Sequence, residues 1–492
     1  VLTTTACAEL REACRAASYT VDGVLAAIGT DAHRALGRNS TVPAERALAG
    51  RDDPLATMIR TFLLQRPVPR TAVDAAFPGL VPAMIDTGLL ADSDGTVRAV
   101  VDLRPYASDE EGDDPYWVVA DLTPGLDTMI TPIRPDYVLG VSSASATLAQ
   151  LTVRRPIGRA LDLGTGCGVQ SLHLAGHAEA VVATDLSPRA LELARLTLAL
   201  NEVEADLRHG DLFRPVAGER FDLIVSNPPY VMAPPSPAGR RLTYREGDRA
   251  GDSLVEQLVR AAPEHLTEGG VCQVLANWAH VEGQDWADRL GGWVTGCDVH
   301  VVQREVLDPA EYVELWLADA GVVGRPSYRQ EYGAWLDYLS GLGITGIGMG
   351  WITLRRTDAE PDVTYEHWPH PIEQPIAPAI TERLDAVDTL RRRSDATLLS
   401  WHVTVAGDVS EESLATPGSG DPRHVVLRQE RGFRRAVEAG TALAGVVGAC
   451  DGELDLGTII AAVATVLEAD EAELRAELMP RLRTLIRDGF LR

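Results

Sequence analysis

The chain has 492 residues, 71 of them acidic, 45 arginine and none lysine, for a formal net charge of -26. Such acidity argues against broad non-specific nucleic-acid binding, which needs clustered positive charge, though it leaves room for a local basic face. Without lysine, lysine catalysis is excluded. Cys7, Cys14, Cys167, Cys272, Cys297 and Cys450 stand apart with no Cys-x-x-Cys pair, so neither a zinc site nor a disulfide framework is indicated. No apolar run approaches membrane-spanning length, and no signal-peptide pattern opens the sequence.

Residues 1–125 read as a first unit. Cys7 to Ala17 and Val21 to Ile28 are helical by pattern. Asp53 to Gln65 is a stronger amphipathic helix, with Leu55, Met58, Ile59, Phe62 and Leu63 on one face. Two short helices follow, Arg70 to Ala76 and Leu80 to Thr87, separated by Pro78-Gly79. Thr96 to Leu103 and Trp117 to Leu122 are strand-like, with the acidic run Ser108 to Asp114 as the loop between them. This order predicts a small winged-helix-like unit. Its near-balanced charge and lack of a basic helix favour capping or protein contact over nucleic-acid recognition.

Residues 126–357 carry the chemistry. Leu161 to Leu163 is a buried strand, and Gln170 to Ala175 begins a helix. Between them Gly164, Gly166 and Gly168 form a turn that lets backbone approach a ligand closely. Cys167, inside that turn, reads as packing. The strand Ala180 to Thr184 ends at Asp185, about 20 residues past the glycines, where an acid reaches ribose hydroxyls. The glycine spacing is not G-x-G-x-x-G, which makes NAD the weaker candidate. Arg208-His209-Gly210-Asp211-Leu212 closes a third segment. The run Phe221 to Ser226 leads into Asn227-Pro228-Pro229-Tyr230. Two prolines without N–H stiffen the exit from that strand. Carbonyls there, and the Asn227 amide oxygen, are acceptors for a planar N–H-bearing group, and Tyr230 offers a flat face. Apolar runs that each end in a carboxylate or amide predict a doubly wound α/β sheet binding ligand at its carboxyl edge.

After this corner, Val231 to Arg249 is a long loop containing Arg240-Arg241 and Tyr244 to Asp248. Its arginines read equally as an anion site or a solvated surface. Asp252 to Ala262 is a helix and Val271 to Ala276 a strand, with Asn277, Trp278 and His280 following at its carboxyl end. His280 reads as structural rather than as a base. Val299 to Gln303, the helix Glu311 to Ala318 and the strand Gly346 to Leu354 complete the sheet. Residues 358–422 open as a proline-rich linker, then give a helix Ala379 to Arg393, a strand Leu398 to Val405 and a linker Thr416 to Pro422. Residues 423–492 give a strand His424 to Arg428 and helices Ala436 to Val447, Leu456 to Leu467 and Glu471 to Asp488. That last unit again looks winged-helix-like, with an acidic face at Asp470, Glu471, Glu473 and Glu477 that disfavours DNA.

The segment from about Asp127 to Thr357 resembles a class I S-adenosylmethionine-dependent N-methyltransferase with the Asn-Pro-Pro-Tyr signature. Within that group it is similar to the "methyltransferase small" proteins, which include glutamine methyltransferases of release factors and of a ribosomal protein. Adenine and guanine methyltransferases of DNA and RNA share the signature. The resemblance implies a Rossmann-like domain with an antiparallel final strand pair. It implies that Asp162, Gly164, Thr165, Gly166, Cys167 and Gly168 wrap the methionine part of S-adenosylmethionine. Asp185 would take the ribose, with Leu186 beside the adenine, and Asp211 and Leu212 would contact the adenine amine and ring. Asn227 and the Pro228 carbonyl would accept the N–H bonds of the methyl acceptor, Pro229 stiffening the corner and Tyr230 packing on the acceptor's plane. Pro132-Ile133-Arg134-Pro135-Asp136 is similar to the Arg-Pro-Glu/Asp stretch of the release-factor enzymes, although Tyr137-Val138-Leu139-Gly140 depart from it.

The reading placed first is methylation of a planar side-chain nitrogen of a protein or peptide, of the glutamine-amide kind. Second stands an rRNA or tRNA base, with a small-molecule amine also open. A cofactor-fold binding protein without catalysis is the reading from another class. No metal and no membrane partner are expected, and the expected setting is the bacterial cytoplasm.

Overall fold

The computed structural model describes residues 2–107, 115–129, 133–235, 249–414 and 424–492. The acidic run 108–114, Pro132, the loop arginines Arg240 and Arg241, the stretch Tyr244 to Asp248 and the linker 416–422 lie outside the described residues. The chain divides into two compact units, residues 1–149 with 155–368, and residues 150–154 with 369–492.

The first unit is built on an eight-stranded sheet. In chain order it runs β1 (Ile157–Leu163), α1 (Val169–Ala175), β2 (Ala178–Asp185), α2 (Pro188–Leu200), β3 (Asp206–His209) and β4 (Phe221–Ser226). It continues with α3 (Ser253–Ala261), β5 (Leu266–Val281), α4 (Trp286–Gly291), β6 (Cys297–Leu307), α5 (Pro309–Asp319), α6 (Tyr328–Gly341), β7 (Ile344–Arg356) and β8 (Val363–His367). The spatial order is β3-β2-β1-β4-β5-β7-β6-β8. Strands β3 to β5 pair in parallel across β2, β1 and β4. Strand β7 runs antiparallel to both β5 and β6, as the resemblance implied. Buried runs such as Ala160–Leu163 and Leu223–Ser226 mark strands covered on both faces, which is what parallel sheets require. The chain reverses between β1 and β4 in the sheet order, so the carboxyl ends of β1, β2 and β4 flank a topological switch point.

Three expectations need correction here. β5 is far longer than Val271 to Ala276, so Asn277, Trp278 and His280 lie within it, paired to Met349, Gly348 and Gly346 of β7. The glycines at 346, 348 and 350 leave the room: a Cβ on Gly348 would sit 2.3 Å from Trp278 Nε1. Helix α6 was not anticipated. The proline-rich stretch after 358 contributes β8, parallel to β6, before any linker begins.

The N-terminal part contains helices Thr4–Ala16, Val21–Ile28, Thr30–Leu36, Val42–Ala47 and Pro54–Met58, the last capped by Asp53 and running into a π-turn at Ile59–Leu63. Strand Val68–Pro69, helices Arg70–Ala76 and Val81–Asp86, and strands Leu90–Ser93 and Thr96–Ala99 follow, the strands forming one antiparallel sheet. The expected strand Thr96 to Leu103 is in fact two, broken at Val100. Its second half, Val101–Tyr106, pairs with Tyr116–Asp121 in a separate hairpin. This hairpin is the bridge to the central sheet. Trp117 is fully buried and its indole donates to the Tyr19 carbonyl at 2.8 Å. Asn201, at the end of α2, donates to the Trp117 carbonyl at 2.8 Å and accepts from its N–H at 2.9 Å. One apolar core consequently runs from the N-terminal helices through the hairpin onto α1 and α2.

In the second unit, helix Ala377–Arg391 and the sheet Val409–Leu414, His424–Gln429 and Ala436–Ala439 pack with helices Thr441–Gly448, Leu456–Val466 and Glu471–Arg487. Two assignments change. Leu398 to Val405 is not a strand: Asp395–Leu399 is a helix capped by Ser394, and the rest is tied by single bridges, Thr404 to Asp451 and Val405 to Leu491, and by the Leu456 N–H donating to the Trp401 carbonyl. Ala436 to Val447 is a strand and then a helix, parted at Gly440.

Candidate active site

At the end of β1 the three glycines adopt left-handed backbone, with φ of +80°, +55° and +84° at Gly164, Gly166 and Gly168. They serve different ends. A Cβ on Gly168 would lie 3.2 Å from Ala194 Cα, so this residue lets α1 and α2 meet. A Cβ on Gly164 or Gly166 would point into open space, the geometry of a backbone cradle. The turn is fixed by Gly164 and Thr165 N–H groups donating to the Thr184 carbonyl, both at 2.9 Å. Cys167 is buried with its thiol pushed up to about 12 by that burial, an unreactive packing group.

Two carboxylates brace this turn. Asp162 is almost fully buried and accepts hydroxyl hydrogen bonds from Thr165 and Ser171, each at 2.7 Å. Burial nevertheless lifts its pKa to about 6. Asp185, at the end of β2, accepts from Gly166 N–H at 2.9 Å and from Ser187 N–H at 2.8 Å. Its pKa is raised, desolvation outweighing those N–H bonds. Two acceptor positions filled by backbone leave lone pairs for a diol. Leu186, 55% exposed, follows it, and its carbonyl lies 2.9 Å from His209 Nε2 at the end of β3. Asp211 and Leu212 come next, Leu212 with φ +46°, and Arg249 Nη2 donates to Asp211 Oδ2 at 3.3 Å. These groups line the carboxyl ends of adjacent strands, and they fit the nucleoside portion of S-adenosylmethionine.

At the end of β4, Ser226 donates to the Leu163 carbonyl at 2.7 Å, locking the Asn227 corner to the strand that carries the glycine turn. The Asn227 Oδ1 atom is buried and has no hydrogen-bond partner among the described residues. A buried acceptor left unpaired costs about 1–3 kcal/mol, so this atom is set for an incoming donor. Pro228 is buried, and Pro229 and Tyr230 are half-buried. Burial raises the Tyr230 pKa, keeping its ring neutral, and Trp316 of α5 stands edge-on to it at 6.4 Å.

Other sequence candidates do not join this group. His280 Nε2 lies 2.7 Å from Gln303 Oε1, which also accepts from Trp278 Nε1 at 2.9 Å, so the histidine belongs to a packed network. Arg134 forms an exposed ion pair with Asp136. Sequence reasoning missed Ser171, Ser187, Arg249 and Tyr312. Only Ser187 carried a local signal, a serine before proline at a helix start. Among the described residues no cluster of His, Cys, Asp and Glu could hold a metal ion, and no helix is long and apolar enough to cross a membrane.

Residues 140–288 match the model of the methyltransferase small domain, and residues 16–100 match a domain of unknown function (DUF7059). A ribosomal RNA small subunit methyltransferase C of Salmonella arizonae is 32% identical over 168 residues, covering 33% of this chain and 44% of that protein. Its Enterobacter counterpart is 34% identical over 140 residues, covering 28% and 36%. The match thus spans less than half the length of these relatives. A solved T. thermophilus 16S rRNA methyltransferase, in complex with AdoMet and guanosine, is 19% identical, covers 47% of this chain and 59% of its own, and superposes with a TM-score of 0.27, too low to bear on the site. Residues 140–288 thus match the methyltransferase small domain, and the sheet that carries them has the Rossmann-like fold of class I, S-adenosylmethionine-dependent methyltransferases.

Proposed function

We propose that this chain is an S-adenosylmethionine-dependent N-methyltransferase whose acceptor is an exocyclic amine of a ribosomal RNA base. The observation that carries the proposal is the buried Oδ1 of Asn227, beside the glycine turn and without a partner among the described residues. An aromatic amine supplies the N–H that atom lacks, and its flat ring suits the half-buried Tyr230. Support for RNA comes from the relatives named for ribosomal RNA methylation, which match the domain at 32–34% identity. They lend nothing to the protein-amide reading placed first on the sequence alone, so that reading now stands second.

The bound cofactor would supply an already activated methyl group, so the chain needs no nucleophile of its own. Asp185 would orient the cofactor through the ribose, and the open faces of Gly164 and Gly166 would admit it against backbone. Asn227 Oδ1 and the Pro228 carbonyl would hold the amine hydrogens, turning the nitrogen lone pair toward the methyl and offsetting positive charge as it grows on nitrogen. Tyr230, held neutral, would fix the plane of the base. The proton would then pass to water.

The test is transfer of labelled methyl to small ribosomal subunits and, in parallel, to cell protein, followed by nuclease or protease digestion. A labelled methylated guanosine or adenosine in the nucleoside digest is expected. Label that survives nuclease and is lost to protease would return the amide reading to first place.

A further inference from the structure

We infer that Tyr312 is a positioning residue for the transfer, acting on the Asn227–Tyr230 corner from α5. The inference rests on the function proposed above. Tyr312 is fully buried, and its hydroxyl oxygen accepts the Met232 backbone N–H at 2.9 Å. The same oxygen lies 3.4 Å from Asn277 Nδ2 of β5, which also points toward it as donor. One oxygen from a distant helix therefore clamps the chain two residues beyond Tyr230 and ties it to the strand beside β4. The prolines make this necessary. Pro228 and Pro229 have no N–H, so the corner cannot fasten itself through those positions, and Met232, just beyond it, supplies a backbone donor that Tyr312 holds.

A second contact runs through the rings. Tyr312 stands edge-on to Trp316 at 6.1 Å, and Trp316 stands edge-on to Tyr230 at 6.4 Å. Trp335 of α6 backs Tyr312 from the far side at 6.5 Å. Val231, Met232, Val313, Leu317 and Leu339 fill the same buried cluster. Tyr312 itself meets no reacting group. Burial pushes its pKa up, so it stays a neutral phenol and serves geometry rather than proton transfer.

Tyr312→Phe keeps the ring and removes the oxygen. We expect amide hydrogen exchange at Met232 to quicken at least about tenfold, and kcat for the acceptor the wild type methylates to fall about tenfold. KM and the cofactor Kd should stay within about twofold, by the ordinary reading of a transition-state defect. As a conservative control, Trp316→Phe should retain most of kcat where Trp316→Ala does not. Unchanged exchange at Met232, or faster exchange with unchanged kcat, would overturn the inference. A wild type that methylates neither RNA nor protein would defeat the function proposed above, and Met232 exchange in Tyr312→Phe would still decide whether the strut exists.

Discussion

The two halves of the site are finished differently. On the glycine side, around β1 and β2, both carboxylates are already satisfied by the protein: Asp162 by two hydroxyls and Asp185 by two backbone N–H groups. On the β4 side, Asn227 Oδ1 is buried and unsatisfied. The first half is a rigid cradle in which ligand adds to an existing network. The second holds an acceptor that no described residue satisfies. On the function proposed above, the fold would prepare the cofactor's place in advance and leave an unpaired acceptor where the methyl acceptor would bind.

The largest expected effect breaks the second half alone. Asn227→Ala should lower kcat by about 100- to 1,000-fold, the range found when one preorganised electrostatic partner is removed. The cofactor Kd, read by calorimetry, should move by no more than about threefold. A comparable loss of cofactor binding would show that the two halves are not separate.

Next comes a pH effect confined to the first half. Burial lifts Asp162 from 3.8 to about 6, so the folded chain keeps a proton there that the unfolded chain has released. That stabilisation is complete below about pH 4 and is lost as pH rises through about 6. Relative to Asp162→Asn, the wild type should lose on the order of 3 kcal/mol across that window. Urea unfolding of both proteins at pH 4 and pH 7 reads the difference, and parallel curves would refute it.

Asp185→Asn should raise the cofactor Kd about tenfold, near 1.4 kcal/mol, with kcat at saturating cofactor little changed. The smallest effect separates the glycines themselves. Both Gly168→Ala and Gly166→Ala put a side chain at positive φ, but only Gly168 also meets Ala194. Gly168→Ala should be the less stable variant by about 1 kcal/mol, while Gly166→Ala should show the greater loss of cofactor affinity. Thermal unfolding with and without cofactor distinguishes them.

The glycine half was legible because its determinants are local. Glycines at 164, 166 and 168, the acid 21 residues after the first of them, and the apolar runs between all lie within one stretch of chain. The Asn-Pro-Pro-Tyr corner was legible for the same reason. What escaped were features that reach across sequence. Nothing near Tyr312 announces that its hydroxyl meets Met232, 80 residues earlier. His280 read as structural, but its partner escaped because β5 was read too short; pairing with β7 extends it, and Gln303 from β6 then claims the imidazole. Thr96 to Leu103 looked like one strand because no glycine or proline interrupts it, yet Val100 hands the chain from one sheet to another.

By itself the sequence determined the glycine turn, the acids that follow it and the proline-stiffened corner, since each is set by backbone freedom and side-chain chemistry within a few residues. Only the tertiary structure decided that Asp162 is buried enough to hold a proton near pH 6 and that Asn227 Oδ1 goes unpaired. It alone placed Tyr312 behind the corner. Burial and long-range pairing depend on which distant segments pack together, and no local pattern of residues records that.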